Sequence, residues 1–120
     1  ETLWEDRDNQ LVKEILSTPG AGKVLVVDGQ GSLESALMGD MIAAAAVANG
    51  WEGVIIHGAV RDSVALGEMD LGVKALGTNP RKSAKDGVGA RGGVVSFGGA
   101  DFAPGATVWA DPDGILVTRA

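Results

Sequence analysis

The strongest constraint on the fold is a pair of short, continuously apolar runs with an alanine-rich stretch between them. Lys23–Asp28 reads KVLVVD and Gly53–His57 reads GVIIH. A strand with one solvated face alternates apolar and polar residues, and neither run does. The continuous run Lys23–Asp28 is of the kind buried on both faces in a layered α/β protein, and Gly53–His57 predicts the next strand. Between them Asp40–Asn49 predicts a helix, which Gly50 ends. Ala43 to Ala46 are small enough there for another element to approach closely.

The flanks extend this pattern. Asp8 or Asn9 can cap a helix through Leu16, with Leu11, Val12, Ile15 and Leu16 on its apolar side, and Pro19-Gly20 stops it. The polar Glu1–Arg7 stretch predicts a frayed end or the lead-in from a further element. Leu33–Met38 predicts a short helical turn, Asp62–Leu66 a short helix and Val73–Leu76 a strand. Gly77–Gly92 reads GTNPRKSAKDGVGARG, a long polar loop of the functional or mobile kind. Gly93–Phe97, Thr107–Ala110 and Ile115–Thr118 predict short strands. Turns at Gly98-Gly99, Pro104-Gly105 and Asp111–Gly114 separate them. The 19 glycines fall at strand ends without a period, which argues for many tight turns. The first half is βα in character and the second mostly β. No repeat or linker divides the 120 residues, so one α/β domain is expected.

Chemistry concentrates between Ser32 and Asp62. Twenty residues separate Asp40 from Arg61. One helix followed by one strand is enough to bring Asp40 back beside Arg61 and Asp62. Two carboxylates suit a hard divalent cation, which prefers oxygen ligands. A guanidinium grips a planar carboxylate through two hydrogen bonds. The spacing therefore points to a site for a metal and a small keto acid. Plainer readings stand beside this one. Asp40 before four alanines has the position of a helix cap, Asp62 can cap the next helix, and Arg61-Asp62 can be a surface ion pair worth roughly 0–1 kcal/mol.

Composition removes several other chemistries. Cysteine is absent, so disulfides and thiolate metal sites are excluded. His57 is the one histidine and tyrosine is absent, so a His-rich zinc site is impossible. A Ser-His-Asp mechanism would have to use His57, which at a strand end reads better as a packed or hydrogen-bonded residue. The net charge is −6 and the basic residues of Arg81-Lys82 with Lys85 form only a small patch, which argues against direct nucleic-acid binding. The longest apolar stretch, Met41–Val47, is far too short to span a bilayer, and no leader is visible, so a cytoplasmic protein is expected. Gly29-Gln30-Gly31-Ser32 has neither phosphate-loop pattern and reads as a turn joining strand to helix, although its backbone N–H groups could bind an anion.

Taken together, the D-x20-R-D spacing, VLVVDGQGS, ANGWEG and ALGTNPRKS resemble the RraA-like family. That family contains class II 4-hydroxy-4-methyl-2-oxoglutarate aldolases and the regulator of ribonuclease activity A. The likeness runs from about Leu11 to Val117. It implies a layered β/β/α swivelling domain, assembled as a homotrimer or a hexamer of two trimers. It also implies that the chain lacks an N-terminal β segment with which family members begin.

The activity implied is aldol cleavage of 4-hydroxy-4-methyl-2-oxoglutarate, or a related 4-carboxy compound, to pyruvate. Oxaloacetate decarboxylation is the expected side activity, because both routes pass through pyruvate enolate. A divalent cation, Mg²⁺ or Mn²⁺, would act as Lewis acid. Carried over from the family, Asp62 would hold the metal, partly through waters, with Asp40 helping through a water. Arg61 would hold the pyruvyl carboxylate and keto oxygen. Backbone N–H groups around Leu37, Met38 and Gly39 would hold the other carboxylate oxygen. Lys85 would bind the distal carboxylate or remain a solvated loop charge. Two departures weigh against full aldolase activity: Ala65 stands where the aldolases carry an acid, with Glu68 and Asp70 the next acids, and no acidic C-terminal extension follows Ala120. The same family implies an alternative, a non-catalytic regulator that binds and inhibits a ribonuclease. An older methyltransferase label for such sequences finds no nucleoside-binding motif here.

Overall fold

The computed structural model describes residues 1–5, 10–31, 36–69, 71–78, 89–97, 100–111 and 114–117. In chain order the elements are β1 (Thr2–Glu5), α1 (Gln10–Leu16), β2 (Val24–Asp28), α2 (Asp40–Ala48), β3 (Gly53–Val60), α3 (Ser63–Gly67) and β4 (Gly72–Thr78). Five short strands follow: β5 (Gly89–Arg91), β6 (Val95–Phe97), β7 (Ala100–Phe102), β8 (Val108–Asp111) and β9 (Gly114–Val117).

The two apolar runs form neighbouring parallel strands at the centre of a five-stranded sheet of order β4-β3-β2-β1-β5. The first four strands are parallel, and β5 closes one edge antiparallel to β1. Alternate residues of the central strands feed two cores. Leu25, Val27, Val54 and Ile56 pack with Val12, Ile15 and Leu16 of α1 and Ile42, Ala43 and Ala46 of α2. Val26 and Ile55 pack on the other face with Val95 and Phe102, backed by Phe97, Val108 and Val117 of the β6–β7 and β8–β9 hairpins. Hairpins, sheet and helices make the expected β/β/α layering.

Helix α2 shows why the alanines matter. Ala43 and Ala46 are fully buried, so its backbone lies close to the layer beneath. It ends in a Schellman motif: the Trp51 amide donates to the Ala46 carbonyl and the Gly50 amide to that of Val47, with Gly50 at φ +79. Trp51 then folds back, its Nε1–H donating to the Thr18 carbonyl at 2.9 Å.

Several expectations need correction. Glu1–Arg7 is not simply a frayed lead-in, because Thr2–Glu5 is an internal strand with Thr2 and Leu3 buried. Strand β3 does not turn after His57. It runs on to Val60, its register with β4 shifting between Ile56 and Ala59. The Gly77–Gly92 loop is shorter at both ends, since Gly77-Thr78 completes β4 and Gly89–Arg91 forms β5. Ala100–Phe102 is a strand that short-range pattern did not signal. The proposed caps Asp8 and Asn9 and the turn Gly98-Gly99 lie outside the described residues. Among the described residues, no helix is long and apolar enough to cross a membrane.

Candidate functional site

The site is built where the β2 line breaks and resumes beside β3. After Asp28 the chain leaves the sheet through Gly29, Gln30 and Gly31. It rejoins at Ala36, which forms a parallel bridge with Ala59. The Leu37 amide donates to the Ala59 carbonyl at 2.8 Å, and the Arg61 amide donates to the Met38 carbonyl at 2.9 Å. Residues 36–38 are therefore extended along β3, not a helical turn as the sequence suggested. The chain then turns at Gly39 into α2, which places the start of α2 against the end of β3.

That turn brings Asp40, Arg61 and Asp62 together. Asp40 is not the N-cap of α2. Gly39 occupies that position, and Asp40 is the first helical residue. Its amide receives no local cap and donates instead to Asp62 Oδ2 at 3.2 Å, across 22 positions of sequence. Arg61 Nη1 lies 3.6 Å from the same oxygen. Asp62 stands at the N-cap position of α3 but makes no cap bond to that helix; its carboxylate is turned to α2. Its backbone is left-handed, φ 56 and ψ 43. A non-glycine residue there costs on the order of 1 kcal/mol, least for Asp and Asn, and such residues cluster at functional sites. Both side chains remain open to solvent, Arg61 at 24% and Asp62 at 36%.

The oxygens and amides left over define what the site can do. Among the described residues Asp62 Oδ1 has no hydrogen-bond or ion-pair partner, which leaves it uncommitted to the protein. Of the three backbone donors expected to bind a carboxylate, Leu37 is already committed to Ala59, whereas Met38 and Gly39 donate to nothing among the described residues. Those two amides, the positive end of α2 and the Arg61 guanidinium suit a small carboxylate. No cluster of three or more His, Cys, Asp or Glu side chains exists among the described residues. The structure sets the Asp40 amide, not its carboxylate, against Asp62; so sparse a donor set suits a cation of the magnesium type, which keeps several waters and takes one or two protein carboxylates. It does not fit a closed zinc site. Ala65, half-buried in α3, adds no acid, and Glu68 closes that helix as its C-cap. Lys85 and Asp70 lie outside the described residues.

His57 takes no part in this constellation. Its ring stacks on Phe97 with centroids 4.6 Å apart, and Nδ1 lies 3.5 Å from Asp28 Oδ1. Among the described residues the glycine turn spends its amides internally and offers no anion cradle. Gly29 and Gly31 both donate their amides to the His57 carbonyl, and Gln30 donates to Asp28 Oδ1. What sequence reasoning missed is that Asp62 caps α2. The left-handed residue that makes this possible carries no short-range signal beyond being an aspartate.

Comparison with known proteins places the chain in a family. The family model described as RraA-like, Aldolase/RraA, matches residues 2–117. The chain belongs to the RraA-like family. Among solved structures, an S-adenosylmethionine: 2-dimethylmenaquinone methyltransferase from Geobacillus kaustophilus is 52% identical, with a TM-score of 0.94 over 97% of this chain and 72% of that one. The RNA-processing inhibitor RraA from Thermus thermophilus is 46% identical, also at 0.94, over 97% of this chain and 71% of its own. RraAS2 of Streptomyces coelicolor, from the RNase ES inhibitor RraA protein family, is 30% identical at 0.78 over 98% and 61%. The RraA-like family thus spans aldolase and inhibitor descriptions, and the mixed α/β fold with its parallel sheet is common to these structures.

Proposed function

We propose that this RraA-like chain is a divalent-metal-dependent carbon–carbon lyase. It cleaves 4-hydroxy-4-methyl-2-oxoglutarate, or a related 4-carboxy-4-hydroxy-2-oxo acid, to pyruvate and decarboxylates oxaloacetate. It acts in the cytoplasm as a homotrimer or a hexamer. The observation that carries the reading is Asp62: a left-handed aspartate whose Oδ2 is fixed by the Asp40 amide beside Arg61 Nη1, with Oδ1 uncommitted among the described residues.

The chain's own residues divide the work. Arg61 grips the 2-oxo acid by its carboxylate and orients the adjacent keto oxygen. The Met38 and Gly39 amides take a remaining carboxylate oxygen at the start of α2. Asp62 and Asp40 would hold Mg²⁺ or Mn²⁺, which when bound supplies Lewis-acid polarisation of the keto oxygen. In oxaloacetate the C3–C4 bond breaks, its electron pair passes into the enolate of pyruvate, and carbon dioxide leaves. Protonation of C3 completes pyruvate. Lys85 would meet the distal carboxylate of the longer substrate.

A second reading rests on the Thermus relative described as an RNA-processing inhibitor. In it the chain binds and inhibits a ribonuclease without chemistry of its own. Pyruvate release from oxaloacetate and from the hydroxy-methyl substrate, with Mg²⁺ and with EDTA, separates the two. Metal-dependent release from either substrate supports the lyase. No release from either, with inhibition of a ribonuclease, supports the regulator.

A further inference from the structure

We infer that Gly39 is a positioning residue: its missing side chain is the space in which Arg61 and Asp62 are seated. A Cβ built at Gly39 would lie 2.6 Å from Arg61 Nε, 2.8 Å from Asp62 Oδ2 and 2.9 Å from Arg61 Cγ. Real Cβ contacts are never that short, so both side chains would have to move. The backbone does not require glycine here. Gly39 has φ −127 and ψ −166, extended geometry open to any residue. The requirement is spatial, and it comes from the two side chains proposed to hold the substrate and the cation.

The consequence reaches the cation through one hydrogen bond. Asp62 Oδ2 is held by the Asp40 amide, which leaves Oδ1 as the uncommitted oxygen among the described residues. An alanine at 39 pushes on Oδ2 and on the middle of the Arg61 side chain together. Both ends are partly exposed, so they swing outward and the domain stays folded. The Asp40 amide then loses its acceptor, and Asp62 loses the orientation that presents Oδ1. Helix α2 itself is untouched beyond its first residue, because the Ala43 amide bonds the Gly39 carbonyl, which a side chain does not alter. The effect on the cation rests on the function proposed above; the seating of the two side chains does not.

Amide NMR of the metal-free protein tests the seating. In Gly39→Ala the Asp40 amide should shift in the same direction as in Asp62→Ala, with the Ala43 amide unmoved. Gly67→Ala, where an added Cβ meets nothing within 4 Å, should leave all of them in place. Gly39→Ala combined with Asp62→Ala should leave the Asp40 amide where Asp62→Ala alone puts it, because the acceptor that the added Cβ displaces is already gone. Mn²⁺ titration should show at least tenfold weaker binding in Gly39→Ala. The inference is overturned by an unmoved Asp40 amide, or by Asp40, Met41 and Ile42 shifting together and shifting further in the double variant than in Asp62→Ala alone, the pattern of a merely loosened helix end. Absence of Mn²⁺ binding by the wild type overturns the metal function alone, and the amide result still decides the seating.

Discussion

Arg61 and Asp62 separate the site from an ordinary surface ion pair. An exposed pair contributes roughly 0–1 kcal/mol, so its loss leaves turnover near normal. In the proposed role Arg61 uses both arms of its fork, which lysine lacks. Charge-assisted hydrogen bonds contribute about 1.5–3 kcal/mol each, so Arg61→Lys should lower kcat/KM for oxaloacetate by on the order of tenfold to a hundredfold. Arg61→Ala should lower it further, with Tm little changed in either. Parallel loss of stability and activity would make Arg61 structural, and unchanged turnover would make it a surface charge. At this scale the sequence was informative about which residues meet, because one helix and one strand return Asp40 to Arg61 and Asp62. It was silent about how they meet. The left-handed backbone of Asp62 and the prior use of the Leu37 amide depend on the chain breaking and resuming the β2 line, which no residue type announces.

Among the elements, β2, α2 and β3 were legible because burial on both faces leaves unbroken apolar runs and a helix against them needs small residues. Strand β1 was not. TLWE is four residues in a polar stretch, and its partners lie far along the chain in β2 and β5. Its place inside the sheet is a tertiary fact, and it predicts a stability effect. Leu3 is fully buried between the sheet and α1. Leu3→Ala should cost about 2–5 kcal/mol in urea unfolding. Glu14→Ala, on the exposed side of α1, should stay within about 0.5 kcal/mol. A Leu3→Ala protein as stable as the Glu14→Ala control would mean that β1 does not hold the sheet. The hairpin strands were seen only in part because three-residue strands such as Val95–Phe97 and Ala100–Phe102 are too short to carry a period.

For the whole molecule, exposed apolar surface argues for assembly. Met41 is 77% exposed on α2, Leu76 54% on β4 and Val94 63% ahead of β6. An open apolar groove of about 300 Å³ lies between α3 and β4, lined by Val60, Leu66, Leu71, Val73 and Ala75. A small domain buries only about 60–70% of its unfolded surface, so self-association adds the burial it lacks. Sedimentation should find a trimer or hexamer at micromolar concentration, and a stable folded monomer would count against it. Fold class was legible at this scale because strand burial and helix patterning are properties of the chain itself. Assembly and partner are not, since they depend on surfaces that read in sequence as ordinary exposed residues.

Asp62, as the cation's carboxylate, is the residue on which the proposed chemistry most directly depends. Pyruvate release from oxaloacetate should be measured on metal-stripped wild type and Asp62→Asn while Mn²⁺ is added back, with Tm followed on the same samples. Asparagine keeps the size and tolerates the left-handed backbone but removes the charge. The expected result is full recovery in the wild type, no recovery in Asp62→Asn, and closely similar Tm values. Equal turnover of both proteins in EDTA, or equal rescue of both by Mn²⁺, would contradict it.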